Sequence, residues 1–345
     1  MISIIGTVGV PACYGGFETL VDNLLDENEC DQLITVYCSS KSYNNRPKKY
    51  KNAVLKYIPL NANGAQSVFY DIWSLFHAVY KRTDTILLLG VSGAICLPFI
   101  RLFSKAKIVT NIDGLEWRRD KWGELAKRFL KFSEKIAVRY SDVVVADNKS
   151  IADYVIEEYG IEAEVIAYGG DHAVIADLKL SDEGYALALC RIEPENNVEM
   201  ILESFSKTNK KLMFIGNWNN SDFGREMKAK YQDYENIDIV APVYELDKLF
   251  ELRQQCSFYV HGHSAGGTNP SLVEMMHFKK NIIAFDCNYN RASTENKAEF
   301  FLNTEKLAEL VETSEVINNG STMQEIAERR YTWAIVKEQY FSLFN

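Results

Sequence analysis

No two of the seven cysteines (13, 30, 38, 96, 190, 256 and 287) are spaced as C-x-x-C, which argues against a zinc ribbon or a dithiol redox site. Several sit in apolar runs and read as reduced, buried thiols of a cytoplasmic protein, not as a disulfide framework. Nor is any apolar run long enough to cross a bilayer. The most apolar stretch, 86–100 (ILLLGVSGAICLPFI), is interrupted by Gly90, Ser92, Gly93 and Pro98, and reads as a buried strand, a turn and a helix. The opening MISIIGTVGV lacks the basic flank and length of a signal peptide and reads as a strand. No D-x-D motif or metal-ligand cluster occurs, so chemistry without a metal or other cofactor is expected. Low-complexity segments and solenoid-length repeats are missing too.

What is present is an ordinary globular composition, 47% hydrophobic and 25% charged over 345 residues, which is room for two domains. The net charge of −9 is unevenly spread. Residues 1–170 hold 20 Lys+Arg and 20 Asp+Glu, whereas 171–345 hold 18 and 27. Residues 116–139 carry eight cations (Arg118, Arg119, Lys121, Lys127, Arg128, Lys131, Lys135, Arg139) against four acids, interleaved with Trp117, Trp122, Phe129 and Phe132. Two readings stay open for that stretch: a solvated amphipathic helix on a sheet, or a surface that docks on anionic lipid at the inner face of the cell membrane. An acidic chain without a basic domain is not expected to bind nucleic acid.

Short apolar runs alternate with helical patterns. Strands are predicted at 2–5, 33–38, 54–58, 85–89, 107–111, 142–146 and 164–167, with helical patterns at 17–25, 68–79, 123–140 and 151–159. The rhythm pauses at 168–180 and restarts with strands at 185–189, 211–215, 237–240, 258–260 and 281–285. Helical patterns at 198–208, 225–234, 246–255 and 271–277 follow most of them. Continuous apolar strands between amphipathic helices imply parallel sheets covered on both faces. The expected fold is α/β, with two Rossmann-like doubly wound domains at 1–170 and 171–330 facing across a cleft. The aromatic, amphipathic segment 331–345 is expected to be a helix packing back across the domains.

The strongest chemical signal is His261-Gly-His-Ser-Ala-Gly-Gly-Thr-Asn-Pro-Ser-Leu-Val-Glu274. A buried strand runs into a loop of small residues, and Pro270 then opens a helix at a favoured position. Gly266 and Gly267 let backbone approach a ligand, while free amides at a helix start favour phosphate. Thr268, Asn269 and Ser271 add neutral donors, and Glu274, placed in the helix's first turn, is positioned to accept from ribose hydroxyls. A Gly-rich turn with an Asn or Ser cap explains the glycines alone, but not two histidines and an early Glu. His261 and His263 would brace the loop. From the residues alone, Asp113, after the strand at 107–111, is open between a helix cap and a general base, and Glu116, Arg118 and Arg119 read as surface charges.

GGTNPSLVEMM followed by IIAFDCNYNR resembles the donor-binding half of GT-B glycosyltransferases of family GT4, and more closely a bacterial rhamnosyltransferase-like subgroup of polysaccharide biosynthesis. IIGTVGVPACYGGFETLVDNLL (4–25) and NIDGLEWRRDKW (111–122) resemble that subgroup's amino-terminal signature, so the resemblance spans nearly the whole chain. It implies that Gly15, Gly16 and Phe17 face the donor, that Glu18 lies toward the acceptor with Asp113, Glu116 and Arg118, and that Arg191 sits on the diphosphate. Donor contacts extend to Asn196, His261, Gly266, Gly267, Thr268, Asn269, Ser271, Leu272 and Glu274, with Asp113, Arg191 and Glu274 catalytic. Two positions depart from the family pattern: Asn196 stands where a Lys is usual, and Gly266 where the first Glu of E-x7-E is usual. The resemblance further implies dTDP-L-rhamnose as donor, a lipid-diphosphate-linked saccharide of capsular or other surface polysaccharide as acceptor, and a retaining transfer. A UDP- or GDP-hexose donor, a nucleotide-sugar epimerase and a non-catalytic nucleotide-binding protein are the alternatives.

Overall fold

The computed structural model describes residues 1–13, 15–25, 33–118, 122–175, 178 and 180–344. Contacts divide the chain into two compact units, Met1–Ala167 with Val336–Asn345, and Tyr168–Ile335. Each has its own sheet.

The first unit runs β1 (Ile2–Ile5), α1 (Gly15–Leu24), β2 (Ile34–Ser39), β3 (Lys49–Tyr50), β4 (Ala53–Ile58), α2 (Ser67–Tyr80), β5 (Thr85–Leu89), α3 (Leu97–Phe103), β6 (Lys107–Asn111), α4 (Glu124–Tyr140), β7 (Val143–Ala146), α5 (Lys149–Tyr159) and β8 (Glu164–Val165). The strand order is β3-β4-β2-β1-β5-β6-β7-β8, parallel except for β3 against β4. Strands β1 and β5 are buried along their whole length, with Ile4 level with Val36 on one side and Leu87 on the other. That is why they read as unbroken apolar runs. From β1 the chain steps toward β2 and β4, then returns to β5 and proceeds outward through β8. Right-handed crossovers therefore put α1 on one face and α2 to α5 on the other.

The second unit runs β9 (Tyr185–Leu189), α6 (Val198–Ser206), β10 (Lys211–Ile215), α7 (Asp222–Tyr231), β11 (Ile237–Val240), α8 (Leu246–Gln255), β12 (Phe258–His261), α9 (Pro270–Met276), β13 (Asn281–Phe285), α10 (Asn288–Ser293), β14 (Glu299–Phe301), α11 (Thr304–Glu312) and α12 (Gly320–Arg330); the last helix, α13 (Trp333–Ser342), belongs to the first unit from Val336 on. Its parallel sheet is ordered β11-β10-β9-β12-β13-β14. Phe205, Phe214, Trp218, Tyr231 and Phe301 fill one core cluster, with Phe214 and Trp218 edge to face at 5.1 Å.

Several expectations are corrected. The short edge strands β3 and β14 were not predicted, because two or three residues carry no readable period. The strand expected at 164–167 ends at Val165. The terminal helix begins at Trp333, because Tyr331 closes α12 by donating its amide to Ala327 O. Contacts divide the chain at 167/168 and 335/336. All six described cysteines are free thiols, and Cys13 is exposed, not buried; Cys30 lies outside the described residues.

Candidate active site

In the second sheet the winding reverses between β9 and β12, which are hydrogen-bonded neighbours. Loops leaving the carboxyl ends of two strands at such a reversal diverge to opposite faces and leave a crevice, the usual ligand position in open α/β sheets. Here those loops are 190–197 and 262–269, the two segments singled out in the sequence. They are stitched together. Asn197 Nδ2 donates to Gly262 O (2.8 Å), and both the amide and the hydroxyl of Ser264 donate to Glu195 O (3.0 and 2.7 Å). Gly262 is required by closeness: a Cβ there would lie 2.1 Å from the Asn196 carbonyl oxygen. Gly266 is required by conformation, at φ +113° with open space around it.

Asn196 is 1% exposed and donates to Arg191 O at 2.7 Å. Its side chain therefore braces the loop from inside. A lysine ammonium in the same spot would be desolvated. Arg191 is half-exposed, 3.7 Å from Glu193.

His261 ends β12 fully buried, its ring stacked on His263 at 4.8 Å and 12°. Burial pushes its pKa down to about 3, so the imidazole is neutral near pH 7. Its Nε2 is buried with no hydrogen-bond partner among the described residues. Tyr259 OH donates to Ser271 Oγ (3.2 Å), Ser271 Oγ donates to Asn269 Oδ1 (2.8 Å), and the Ser271 amide donates to the same oxygen (3.0 Å). Asn269 is thus the N-cap of α9, with Pro270 in its first turn. Thr268 is buried, and Gly267 is partly exposed. Leu272, expected at the donor, instead has its side chain in the core.

Glu274 is also corrected. With Pro270 as the first residue of α9, it falls in the second turn, not the first. Its carboxylate is paired with the guanidinium of Arg253, itself 5% exposed, and lies 3.5 Å from His172 Nε2. Trp333 Nε1 donates to His172 Nδ1 (2.9 Å), so neutral His172 carries its proton on Nε2, toward Glu274. Burial lowers the His172 pKa, opposed by the Glu274 charge. Gly170 lets this segment touch α9, since a Cβ there would sit 2.7 Å from the Glu274 amide nitrogen. The sequence reading missed Arg253 and His172. The only signal was the Gly169-Gly170 pair in the pause at 168–180.

In the first sheet the reversal lies between β1 and β5. Gly6 sits where a Cβ would be 2.0 Å from Leu89 O, which draws the two strand ends together. Gly15, at φ +80°, is exposed, while Gly16 and Phe17 are partly exposed at the start of α1. Glu18, expected toward an acceptor, is turned inward: it accepts from Thr7 Oγ1 (2.9 Å) and the Val8 amide (2.6 Å), and burial raises its pKa. It holds the β1–α1 loop. Asp113 and Leu115 are left-handed non-glycine residues at φ 61° and 50°, a local strain of the kind that concentrates at functional sites. The Asp113 amide donates to Asn111 Oδ1 (2.9 Å), and Asn111 Nδ2 donates to Tyr340 OH (2.7 Å). Glu116 accepts from Trp122 Nε1 (3.1 Å). Arg118 lies over the rings of Trp117 and Tyr154, at 5.0 and 5.2 Å. Arg119 and Lys121 lie outside the described residues.

A cavity of about 810 Å³ opens between α4 and α5, lined by Trp117, Arg118, Lys127, Arg128, Lys131 and Tyr159 among others. Beside it Glu134, 1% exposed, accepts from Trp117 Nε1 (2.9 Å), Tyr154 OH (2.6 Å) and Tyr159 OH (2.6 Å). Of the expected site residues, Arg118 alone lines this cavity. Among the described residues, no helix is long and apolar enough to cross a membrane and no side-chain group is arranged to hold a metal ion.

The family model for a domain of unknown function, DUF1972, matches residues 1–171. No curated protein sequence matches the chain. Sucrose-phosphate synthase from Thermosynechococcus elongatus superposes with a TM-score of 0.78 at 13% identity, covering 99% of this chain and 98% of that one. Anabaena HepE in complex with UDP and glucose gives 0.73 at 12% identity, over 99% and 98%. The catalytic domain of starch synthase IV from Arabidopsis thaliana, bound to ADP and acarbose, gives 0.69 at 10% identity, over 99% and 98%. At such identities the likeness is one of fold, and the fold is that of the GT-B glycosyltransferases.

Proposed function

We propose that this GT-B chain is a glycosyltransferase that moves a sugar from a nucleotide-sugar donor. The observation that carries the reading is the pairing of the Arg191 loop with the 262–269 loop where the second sheet reverses. That arrangement supplies a half-exposed guanidinium and a loop of small residues on one crevice, which suits a diphosphate. Arg191 and backbone amides of the loop would take up charge on the departing nucleoside diphosphate, without a metal ion. Glu274, fixed by Arg253 and His172, is oriented to accept from donor hydroxyls. Gly15, Gly16 and Phe17 are the donor-facing part of the first unit in this reading, and Asp113 orients or deprotonates the acceptor hydroxyl.

The resemblance to the GT4 rhamnosyltransferase-like subgroup favours dTDP-L-rhamnose as donor. The acceptor is then a lipid-diphosphate-linked saccharide of surface polysaccharide assembly, met at the inner face of the cell membrane. Retention from a β-linked donor gives a β-L-rhamnoside. A UDP-hexose donor is the second reading, since HepE was solved in complex with UDP-glucose. Incubation of the full chain with dTDP-rhamnose, UDP- and GDP-hexoses, with and without a lipid-diphosphate saccharide, tests both. Acceptor-dependent release of dTDP supports the first reading, and of UDP the second. Nucleotide binding without any acceptor-dependent product would sink glycosyl transfer.

A further inference from the structure

Helix α2 is turned inside out relative to an ordinary surface helix. Its buried positions are Tyr70, Asp71, Ser74, Leu75 and Ala78, whereas Phe69, Trp73, Phe76 and Tyr80 point outward. The outward four are spaced by four, three and four residues, which is one helical face, and are 45–78% exposed. Next to α2 packs α3, whose Phe99, Leu102 and Phe103 are each at least 60% exposed. Next to α3 packs α4, with Leu125 and Phe132 outward. The three helices lie side by side on one face of the first sheet, and single exposed apolar residues do not add up to such a row by chance.

The charge on this face is predominantly positive, with exposed Glu124 on α4 the main exception. Between residues 67 and 109 there are two acids: Asp71 is buried, and Asp84 accepts from the amino group of Met1 at 2.6 Å. Exposed Lys81, Arg82 and Lys105 flank the aromatic row, and exposed Arg128 and Lys135 continue the positive charge along α4. We propose that the α2–α3–α4 face seats the protein on an anionic lipid bilayer, its aromatic rings at headgroup depth and its cations on lipid phosphates. Trp, Tyr and Phe beside Lys and Arg suit that interface, where one end of each side chain is wet. A two-fold second copy would set like-charged rims against each other, which disfavours that occupant. The chain's net −9 does not oppose docking, because acids beyond about 8 Å are screened at physiological salt.

The proposal deepens the lipid-linked acceptor reading but needs no turnover for its test. Full-length protein is sedimented with phosphatidylcholine vesicles and with vesicles containing phosphatidylglycerol, and quenching of tryptophan fluorescence by brominated lipid is recorded. The wild type is expected to pellet with the anionic vesicles and to be quenched. The exposed triple variant Phe69→Ser, Trp73→Ser, Phe76→Ser should keep its melting temperature and lose at least roughly a hundredfold in partition. Lys81→Glu with Arg82→Glu should lose roughly fivefold or more per cation on anionic vesicles. The proposal is overturned if the wild type stays in the supernatant, or if the triple variant pellets equally. It is also overturned if sedimentation velocity shows a wild-type dimer that the triple variant abolishes, which would assign the face to a second copy. Donor hydrolysis measured without vesicles should be the same for wild type and triple variant, so a failed transferase reading is told apart from a failed docking surface.

Discussion

Arg253 is the residue that sequence reading did not find and that most constrains the site. It sits in the last turn of α8, 5% exposed, with its guanidinium on the Glu274 carboxylate. Removing one partner of a buried pair leaves the other charge uncompensated, at a cost of roughly 3–5 kcal/mol. Arg253→Met should therefore lower stability to urea by that order and abolish donor turnover. Adding Glu274→Met should restore much of the stability but none of the turnover, a separation that a purely structural pair would not produce. A second prediction concerns Asp71. Burial raises its pKa from 3.8 to about 7, although Ser92 Oγ donates to it at 2.5 Å. In the unfolded chain this carboxyl ionises near its ordinary value, so its contribution is fully present below that value. It is lost as pH rises toward about 7, by an amount on the order of 4 kcal/mol. Urea melts from pH 4 to pH 8 should show wild-type stability falling relative to Asp71→Asn (parallel curves would refute the shifted carboxyl).

At the scale of elements, the crevice proposed for the donor depends on two loops being held close together. Gly262 is the closest point, its missing side chain making room for the Asn196 carbonyl. Gly262→Ala forces backbone against a Cβ, so the 190–197 and 262–269 loops must separate, at about 1–3 kcal/mol of strain. The expected result is at least a tenfold weaker nucleotide affinity by calorimetry, with a modest fall in melting temperature. An unchanged affinity would mean the stitched loops do not form the nucleotide site. Helix α2 carries the opposite lesson. Its aromatic residues Phe69, Trp73, Phe76 and Tyr80 recur at helical spacing, a period that fits either a buried or an exposed face. The structure buries Tyr70, Ser74 and Ala78 instead, and Tyr70 OH ties that face to the sheet end by donating to Thr7 O (3.0 Å).

At the scale of the molecule, two mostly parallel sheets each have a central reversal, and the segments the sequence marked as chemical follow strands at those reversals or beside them. The Gly15–Phe17 loop follows β1, the Arg191 loop follows β9 and the 261–274 segment follows β12. Asp113 follows β6, the outer neighbour of β5. Charge divides along the chain as well: the whole excess of acid lies in 171–345, while the first half sets its cations on α4 and around the aromatic face.

The sequence by itself determined the central strands and most helices, because a strand buried on both faces must be continuously apolar and an amphipathic helix must repeat every turn. It also marked the small-residue loop, since a tight backbone approach admits few residue types, whereas Arg191 was reached only through the family resemblance. Tertiary structure alone decided the rest, because the deciding contacts join distant residues. The Glu274 site is closed by Arg253, His172 and Gly170, Glu18 is spent on Thr7 and Val8, and Asn196 is folded under its own loop. Which face of α2 meets solvent depends on what packs beneath it, and a helical period cannot say which of two faces is in.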